Sequence, residues 1–368
     1  MRPLVLVHRW LGIALCVVYA MWFASGIVMH FVPYPSLTEA ERIAGLAPIG
    51  AAAPRNAPAA AIATAGIHAT RLRLQLRPDG LVYLVQGRSA VRALHAADLS
   101  SAAVHSERLA LAIATEHARR RGIDASRAAF AALADDDQWT VANGLDAHRP
   151  LYRILLNDNA GTQLYVSSTT GEVVRDTTRR ERTWNYVGSV AHWIYPTVLR
   201  RNGRAWDATV STLSIAAALT ALLGALLGLV RLQIDHGRLV SPFRGWHAWH
   251  HWLGLGCMLF VLTWIVSGWL SIDNARVFST GQLNAVEESN LVGSSPLSDL
   301  PSHDIKPTPA DTRETEWFSF GGRTYRRERL TFTAQRLGRA TDSASAVSDR
   351  LPSEDVQAVA SRLSPQCG

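Results

Sequence analysis

Three stretches of this chain contain no Asp, Glu, Lys or Arg: Trp10 to Val32, Ala208 to Val230 and Trp252 to Ile272. Each runs 21 to 23 residues, enough at about 1.5 Å per residue to cross the ~30 Å of hydrocarbon in a bilayer. A helix in a water-soluble core rarely stays apolar on every side for that length. The chain is therefore expected to be a membrane protein with three transmembrane α-helices.

The first and third runs are also copies of one another. His8-Arg9-Trp10-Leu11-Gly12, Trp22 and Ser25-Gly26 recur as His250-His251-Trp252-Leu253-Gly254, Trp264 and Ser267-Gly268, offset by 242 at every matched position. The repeat places an imidazole at the same depth on two related helices, as a bis-histidine haem requires. The plainer alternative is a pair of interfacial anchors beside Trp10 and Trp252 in an aromatic belt. Gly12, Gly26, Gly254 and Gly268 recur at equal depth as well, and would let helices or a flat ring approach closely.

Orientation follows the arginines. Arg2 and Arg9 precede the first run, and Arg231, Arg238 and Arg244 lie in the short loop between the second and third. Both places are expected on the cytoplasmic side by the positive-inside rule. That puts Tyr34 to Arg204, and everything after Asp273, on the far side. The first run is too long for a signal-peptide core and is followed by no small-x-small cleavage site, so it reads as a retained anchor.

The net charge of +7 rests on arginine, with Lys306 the only lysine. Short clusters occur at Arg119-Arg120-Arg121 and Arg179-Arg180, but no basic stripe is interleaved with aromatics, which argues against nucleic acid. An acidic lipid surface or an anionic ligand suits the charge better. Cys16, Cys257 and Cys367 form no C-x-x-C pair. A disulfide framework, a covalently attached haem and a zinc knuckle are therefore not indicated.

Between the first two spans, residues 47 to 62 are rich in Ala and Pro and read as a linker. Leu72, Leu74 and Leu76 alternate with Arg71, Arg73, Gln75 and Arg77; Pro78-Asp79-Gly80 then turns the chain into Leu81 to Val85, a β-hairpin. Glu107 to Arg121 is expected to be helical, with Leu109, Ile113 and His117 on one face. A second hairpin joins Tyr152–Leu156 to Gln163–Val166, ahead of Glu172-Val173-Val174. The sum is an α+β domain of about 120 residues, enough for its own core. In the tail, Trp317–Phe320 and Tyr325–Phe332 are expected to pair around Gly321-Gly322, and Ser353–Leu363 to form a helix. The organisation is thus a helix over 1–33, an α+β domain over 34–183, an interfacial segment over 184–204, a helix over 205–231, a cytoplasmic loop over 232–245, a helix over 246–272, and over 273–368 the beginning of a second α+β region.

Taken together, these motifs resemble PepSY-associated transmembrane proteins, the group that includes inner-membrane ferrisiderophore reductases. The likeness rests on the His8–Gly12 and His250–Gly254 motifs, Pro33-Tyr34-Pro35-Ser36-Leu37 with Glu41-Arg42, and Tyr152-Arg153 through Gly171-Glu172-Val173-Val174. His192-Trp193 and Arg200-Arg201-Asn202-Gly203 with Trp206-Asp207 complete it. It covers most of the chain to about Phe278. It implies PepSY-type outer domains, b-type haem and transmembrane electron transfer in a bacterial inner membrane. Such proteins carry helix–PepSY–helix twice, giving four spans, so this chain reads as a shortened three-helix form.

Ionisable residues in or beside a membrane are functional by default. His8 and His250 are the candidate axial ligands of an inner haem iron. His247 and His251, four apart on one face, are rivals of His250 or partners for haem propionates. His30 lies 22 residues after His8, about 33 Å along the helix and about 40° off the same face, so it is a candidate at the outer face, against the plainer reading of an interfacial histidine. His192 sits in a short apolar stretch, Val187 to Pro196, read as an interfacial helix, and is the best outer ligand, with His30 across the site. Haem b, one or two per chain, is the expected cofactor. His68, His95, His105, His117, His148, His236 and His303 have no metal-ligand spacing. No G-x-G-x-x-G follows a strand and no P-loop, H-E-x-x-H or G-x-S-x-G occurs, which removes nucleotide and hydrolase readings.

The resulting expectation is a b-haem protein that passes electrons outward to a ferric siderophore, releasing Fe(II). A quinol or a cytoplasmic reductant is the donor, and membrane lipid and a second copy of the chain are further partners. The rival is a non-redox PepSY sensor or scaffold that regulates a periplasmic protein or peptidase.

Overall fold

The computed structural model describes residues 2–50, 52–88, 90–272, 283–293, 297, 300, 309–340 and 348–363. Cys367, His303 and Lys306 lie outside them. Along the chain the elements run α1 (Arg2–Phe31), α2 (Glu39–Gly45), α3 (Pro58–Ala65), β1 (Ala69–Arg77), β2 (Gly80–Gly87), β3 (Val91–His95), α4 (Glu107–Arg120) and β4 (Ala129–Ala134). Then come β5 (Leu151–Leu155), β6 (Gln163–Ser167), β7 (Val173–Thr177), α5 (Arg179–Asn185), α6 (Thr197–Arg200) and α7 (Gly203–Arg231). The last are β8 (Gln233–Asp235), β9 (Arg238–Val240), α8 (Trp246–Ser271), α9 (Ala285–Val292), β10 (Glu314–Phe320), β11 (Arg323–Arg329), β12 (Gln335–Arg339) and α10 (Ser353–Leu363). They fall into two compact units, residues 1–34 with 183–282 and residues 35–182 with 283–368.

The first unit holds three helices long and apolar enough to cross a membrane: α1, α7 and α8, of 30, 29 and 26 residues. All three extend past the uncharged runs, so Arg9, Asp207 and the histidines of α8 are helical. The Asn202 side chain caps α7 by accepting from the Ala205 N–H at 3.1 Å, satisfying one of the free donors of a helix start. The loop after α7 is a tight hairpin, β8 to β9. His236 and Gly237 turn it with φ of 47° and 74°, the two positive values that a two-residue hairpin turn needs. The stretch around His192 is helical but broken. A π-type turn spans Tyr186–Val190, Gly188 leaves helical geometry with φ −84° and ψ −107°, and Pro196 opens α6. Asn185 anchors it to the end of α1 by donating to the Pro33 carbonyl at 3.0 Å.

The second unit is α+β. Its larger sheet has the order β12-β11-β10-β1-β2-β3 and its smaller one β4-β5-β6-β7. The alternation in β1 sets the larger sheet's faces. Leu72 and Leu74 are buried with Tyr83, Val85 and the alanines of α3, while Ala110, Ile113 and Ala114 of α4 pack on Ile154, Leu164 and Val166 of the smaller sheet. Both hairpins and the α4 helix form as expected. The tail behaves differently from the expectation of a further region. β10 pairs antiparallel with β1, Leu74 opposite Thr315 and Gln75 opposite Glu314, so β10, β11 and β12 extend the first sheet. The physical reason is charge as well as pairing. Arg73 and Gln75, on the opposite face of β1 from the leucines, are themselves buried; the tail supplies the carboxylate that Gln75 bonds, and Glu172, ahead of β7, the one that Arg73 bonds. Gln75 Nε2 donates to Glu314 Oε2 at 2.6 Å, and Arg42 holds the same carboxylate with two bonds of 2.8 Å. Arg73 grips Glu172 with two bonds of 2.5 and 2.9 Å.

Candidate functional site

The repeat-related histidines face one another. The ring centres of His8 and His250 are 6.2 Å apart, with their planes 43° apart. His8 is oriented by a helix outside the repeat: its Nδ1 lies 3.1 Å from the Thr220 carbonyl of α7. A carbonyl accepts only, so Nδ1 carries the proton and Nε2 keeps its lone pair, the tautomer control that supports imidazole ligands elsewhere. Gly224, one turn further along α7, makes room for the ring. A Cβ there would lie 2.7 Å from His8 Cε1.

The spacing of His247, His250 and His251 left their roles open, and the contacts separate them. His251 is 6% exposed and both its ring nitrogens are engaged, Nε2 with the Gly228 carbonyl at 2.9 Å and Nδ1 with Ser241 Oγ at 2.8 Å. It ties α8 to α7 and to the loop after β9. His247 is exposed, one turn before His250. Of the three, His250 is the one in ring contact with His8.

The motif glycines divide too. Gly26 touches His192 and Trp264, with 3.4 Å from a built Cβ to each. A Cβ on Gly12, Gly254 or Gly268 would meet no protein atom within 4 Å, so helix–helix packing does not explain them. Gly12 and Gly254 stand four residues after His8 and His250, about 40° round the helix and one turn along it. The close helix contacts belong to Gly224 and Gly228, which no motif marked.

His192 packs against α1. Its Nδ1 lies 3.0 Å from Ser25 Oγ and 3.1 Å from the Trp22 carbonyl, again leaving Nε2 free. Burial holds this imidazole below its usual range, and the hydrogen bond to Trp22 only partly offsets that, so it is neutral near pH 7. His192 and His30 line a common cavity of about 560 Å³ with Phe23, Gly26, Phe260 and Trp264. On its other side His192 lines a second cavity of about 440 Å³, walled by Tyr19, Trp22, Trp264 and Trp269. Arg200 closes that cavity. Its guanidinium sits 5.3 Å from the Tyr195 ring centre and 4.8 Å from that of Trp206, two cation–π contacts, and its buried Nε makes no hydrogen bond. The sequence reading gave Arg200 no role. The signal present was its place between Tyr195 and Trp206.

Among the described residues no three His, Cys, Asp or Glu converge on a point that could hold a metal ion. What the unit offers is pairs of imidazoles. A comparison of the chain with family models, with curated proteins and with solved structures finds no match.

Proposed function

We propose that this chain is a b-type haem protein of a bacterial inner membrane that carries electrons outward and reduces a ferric siderophore, so that the weaker Fe(II) complex releases its metal. The observation that carries the reading is the His8–His250 pair. The two rings, on separate helices, have their centres 6.2 Å apart, and together they would hold one haem iron. The donor set fits the group in two further respects. His8 presents an unprotonated Nε2, and both histidines have a glycine one turn away whose Cβ position is free of protein. When bound, haem supplies one-electron transfer at a potential tuned by its axial ligands and burial.

The chain's own residues do the rest. Thr220 and Gly224 orient His8, His251 fixes the start of α8 beneath His250, and Ser25 and Trp22 orient His192. His192 and His30 are the proposed ligands of an outer haem, and Arg200 supplies a cation for an acid group at that end. The N-terminus is placed on the cytoplasmic side and the α+β unit in the periplasm, as a PepSY-type unit, on the strength of Arg2, Arg9, Arg231, Arg238 and Arg244. A quinol or a cytoplasmic protein is the donor.

The test is a reduced-minus-oxidised visible spectrum of the purified chain, with haem quantified per chain. Sharp low-spin b-type bands are the expected result, two haems supporting both histidine pairs and one supporting the inner pair alone. A protein that stays colourless after expression with ample haem overturns the proposal and favours a non-redox sensor or scaffold.

A further inference from the structure

The α+β unit contains a cavity that the electron-transfer reading does not use. It encloses about 630 Å³ between α2, the β1–β2 turn, α4 and the residues around Gly171, within the roughly 300–1,000 Å³ of small-molecule sites. Its floor is apolar, made by Leu46, Leu76, Leu111 and Val173. Its polar wall is dominated by arginine: Arg42, Arg77, Arg108 and Arg120 against Glu116 and Glu172. Both carboxylates are already held. Glu172 is bound by Arg73 at 2.5 Å, and Glu116 by Arg119 and Arg120 at 2.9 and 2.5 Å. In the same wall the Nε of Arg120 is buried and has no hydrogen-bond partner.

His117 is an independent second sign. It lines the same cavity, is 5% exposed, and its Nε2 is buried without a hydrogen-bond partner. Such an atom is destabilising unless a partner is provided, and native structures leave few of them. The ring is admitted by Gly45, where any Cβ would collide with it. Burial, reinforced by Arg121, pushes its pKa down to about 3. It is therefore a neutral imidazole near pH 7, with a nitrogen to offer to a ligand oxygen.

We infer that this cavity binds an anionic organic molecule with an apolar body, its acid group hydrogen-bonded by His117 and by Arg120, which stands three residues further along α4. The inference stands on the α+β unit alone and does not require haem.

The experiment uses the full chain in lipid nanodiscs, with empty nanodiscs subtracting partition into lipid. Equilibrium dialysis compares 1-naphthoate with its neutral isostere 1-naphthamide. The expected result is saturable naphthoate binding at least tenfold tighter than naphthamide. Arg120→Ala removes that preference, and Ala112→Trp, at a wall position on α4, abolishes binding of both. Haem content measured on the same samples stays unchanged in both variants. The inference is overturned by equal binding of the acid and the amide, by no saturable binding of the acid, or by binding that Ala112→Trp leaves intact.

Discussion

The neutral, buried His117 makes the α+β unit acid-sensitive, against Asp176 and Glu328, whose carboxyls burial holds above their usual range and which act with the opposite sign. Its pKa is pushed down to about 3 from 6.5, chiefly by burial, with Arg121 and Arg42 adding to the effect and Glu41 opposing it. A group whose folded pKa lies below its unfolded value contributes stability that is complete above the unfolded value and is lost as pH falls toward the folded one. At pH 5 the unfolded imidazole is almost fully protonated and the folded one is not, which costs about 2 kcal/mol; the full loss near pH 3 is about 5 kcal/mol as an upper bound. His148, also held low by burial, acts with the same sign. Glu314 does not interfere: against its burial, Arg42 and Arg73 bring it down from 4.5 to about 2, so its contribution is lost only below about pH 4.5. The assay is hydrogen exchange of the α4 amides at pH 7 and pH 5, corrected for intrinsic rates. Wild type should lose about thirtyfold in protection, the equivalent of about 2 kcal/mol. His117→Asn, which cannot titrate there, should lose far less between the same two pH values, whatever its absolute stability. Equal pH dependence in the two proteins refutes the argument.

Three other outcomes follow from named contacts. Glu314→Gln removes one of the two carboxylates that Arg42 holds with two bonds each, Glu39 being the other, and weakens the hold of the tail on β1; unfolding of this unit by urea should show a loss of about 1–3 kcal/mol. On the proposed reading, His250→Ala should abolish the inner b-type spectrum, whereas His251→Ala should keep haem while lowering thermal stability, because His251 spends both nitrogens on Gly228 and Ser241. Gly224→Ala puts a Cβ 2.7 Å from His8 Cε1; the ring is displaced from the Thr220 carbonyl, costing about 1–3 kcal/mol and lowering haem content.

The sequence carried what depends on periodicity and left out what depends on partners. The three spans, the hairpin turned by Pro78-Asp79-Gly80 and the α4 face with Ile113 and His117 follow from local rules, and they form. The place of the tail did not follow. Gln75 and Glu314 are 239 residues apart, and a strand says little about which edge it will extend. The burial of Arg73 and Gln75 did not follow either, because their partners Glu172 and Glu314 lie 99 and 239 residues away. In the candidate site the histidines were visible and their supports were not. A backbone carbonyl such as that of Thr220 has no signature in a sequence, and Gly224 and Gly228 lie on the one span that takes no part in the repeat. The choice among His247, His250 and His251 required knowing which ring α7 and Ser241 occupy.

That division of labour gives a sharp test of whether the repeat exists for a cofactor or for packing. The repeated helices supply imidazoles and glycines, and α7 supplies orientation. If the motif glycines served helix packing, their Cβ positions would be crowded, yet Gly254 meets no protein atom within 4 Å, and neither does Gly256 on the same helix. The two are only about 3 Å apart along the helix but point in different directions: Gly254 lies about 40° from His250 around the helix and Gly256 about 120°. A leucine at either position should leave the apoprotein's fold intact, with a gain of up to about 1 kcal/mol from replacing a helical glycine. On the proposed reading, Gly254→Leu fills the space beside the His250 imidazole and should sharply reduce haem per chain, while Gly256→Leu should bind haem as wild type does. Equal haem content in the two variants, at equal expression and equal thermal stability, would mean that the space beside His250 is not where a flat cofactor lies.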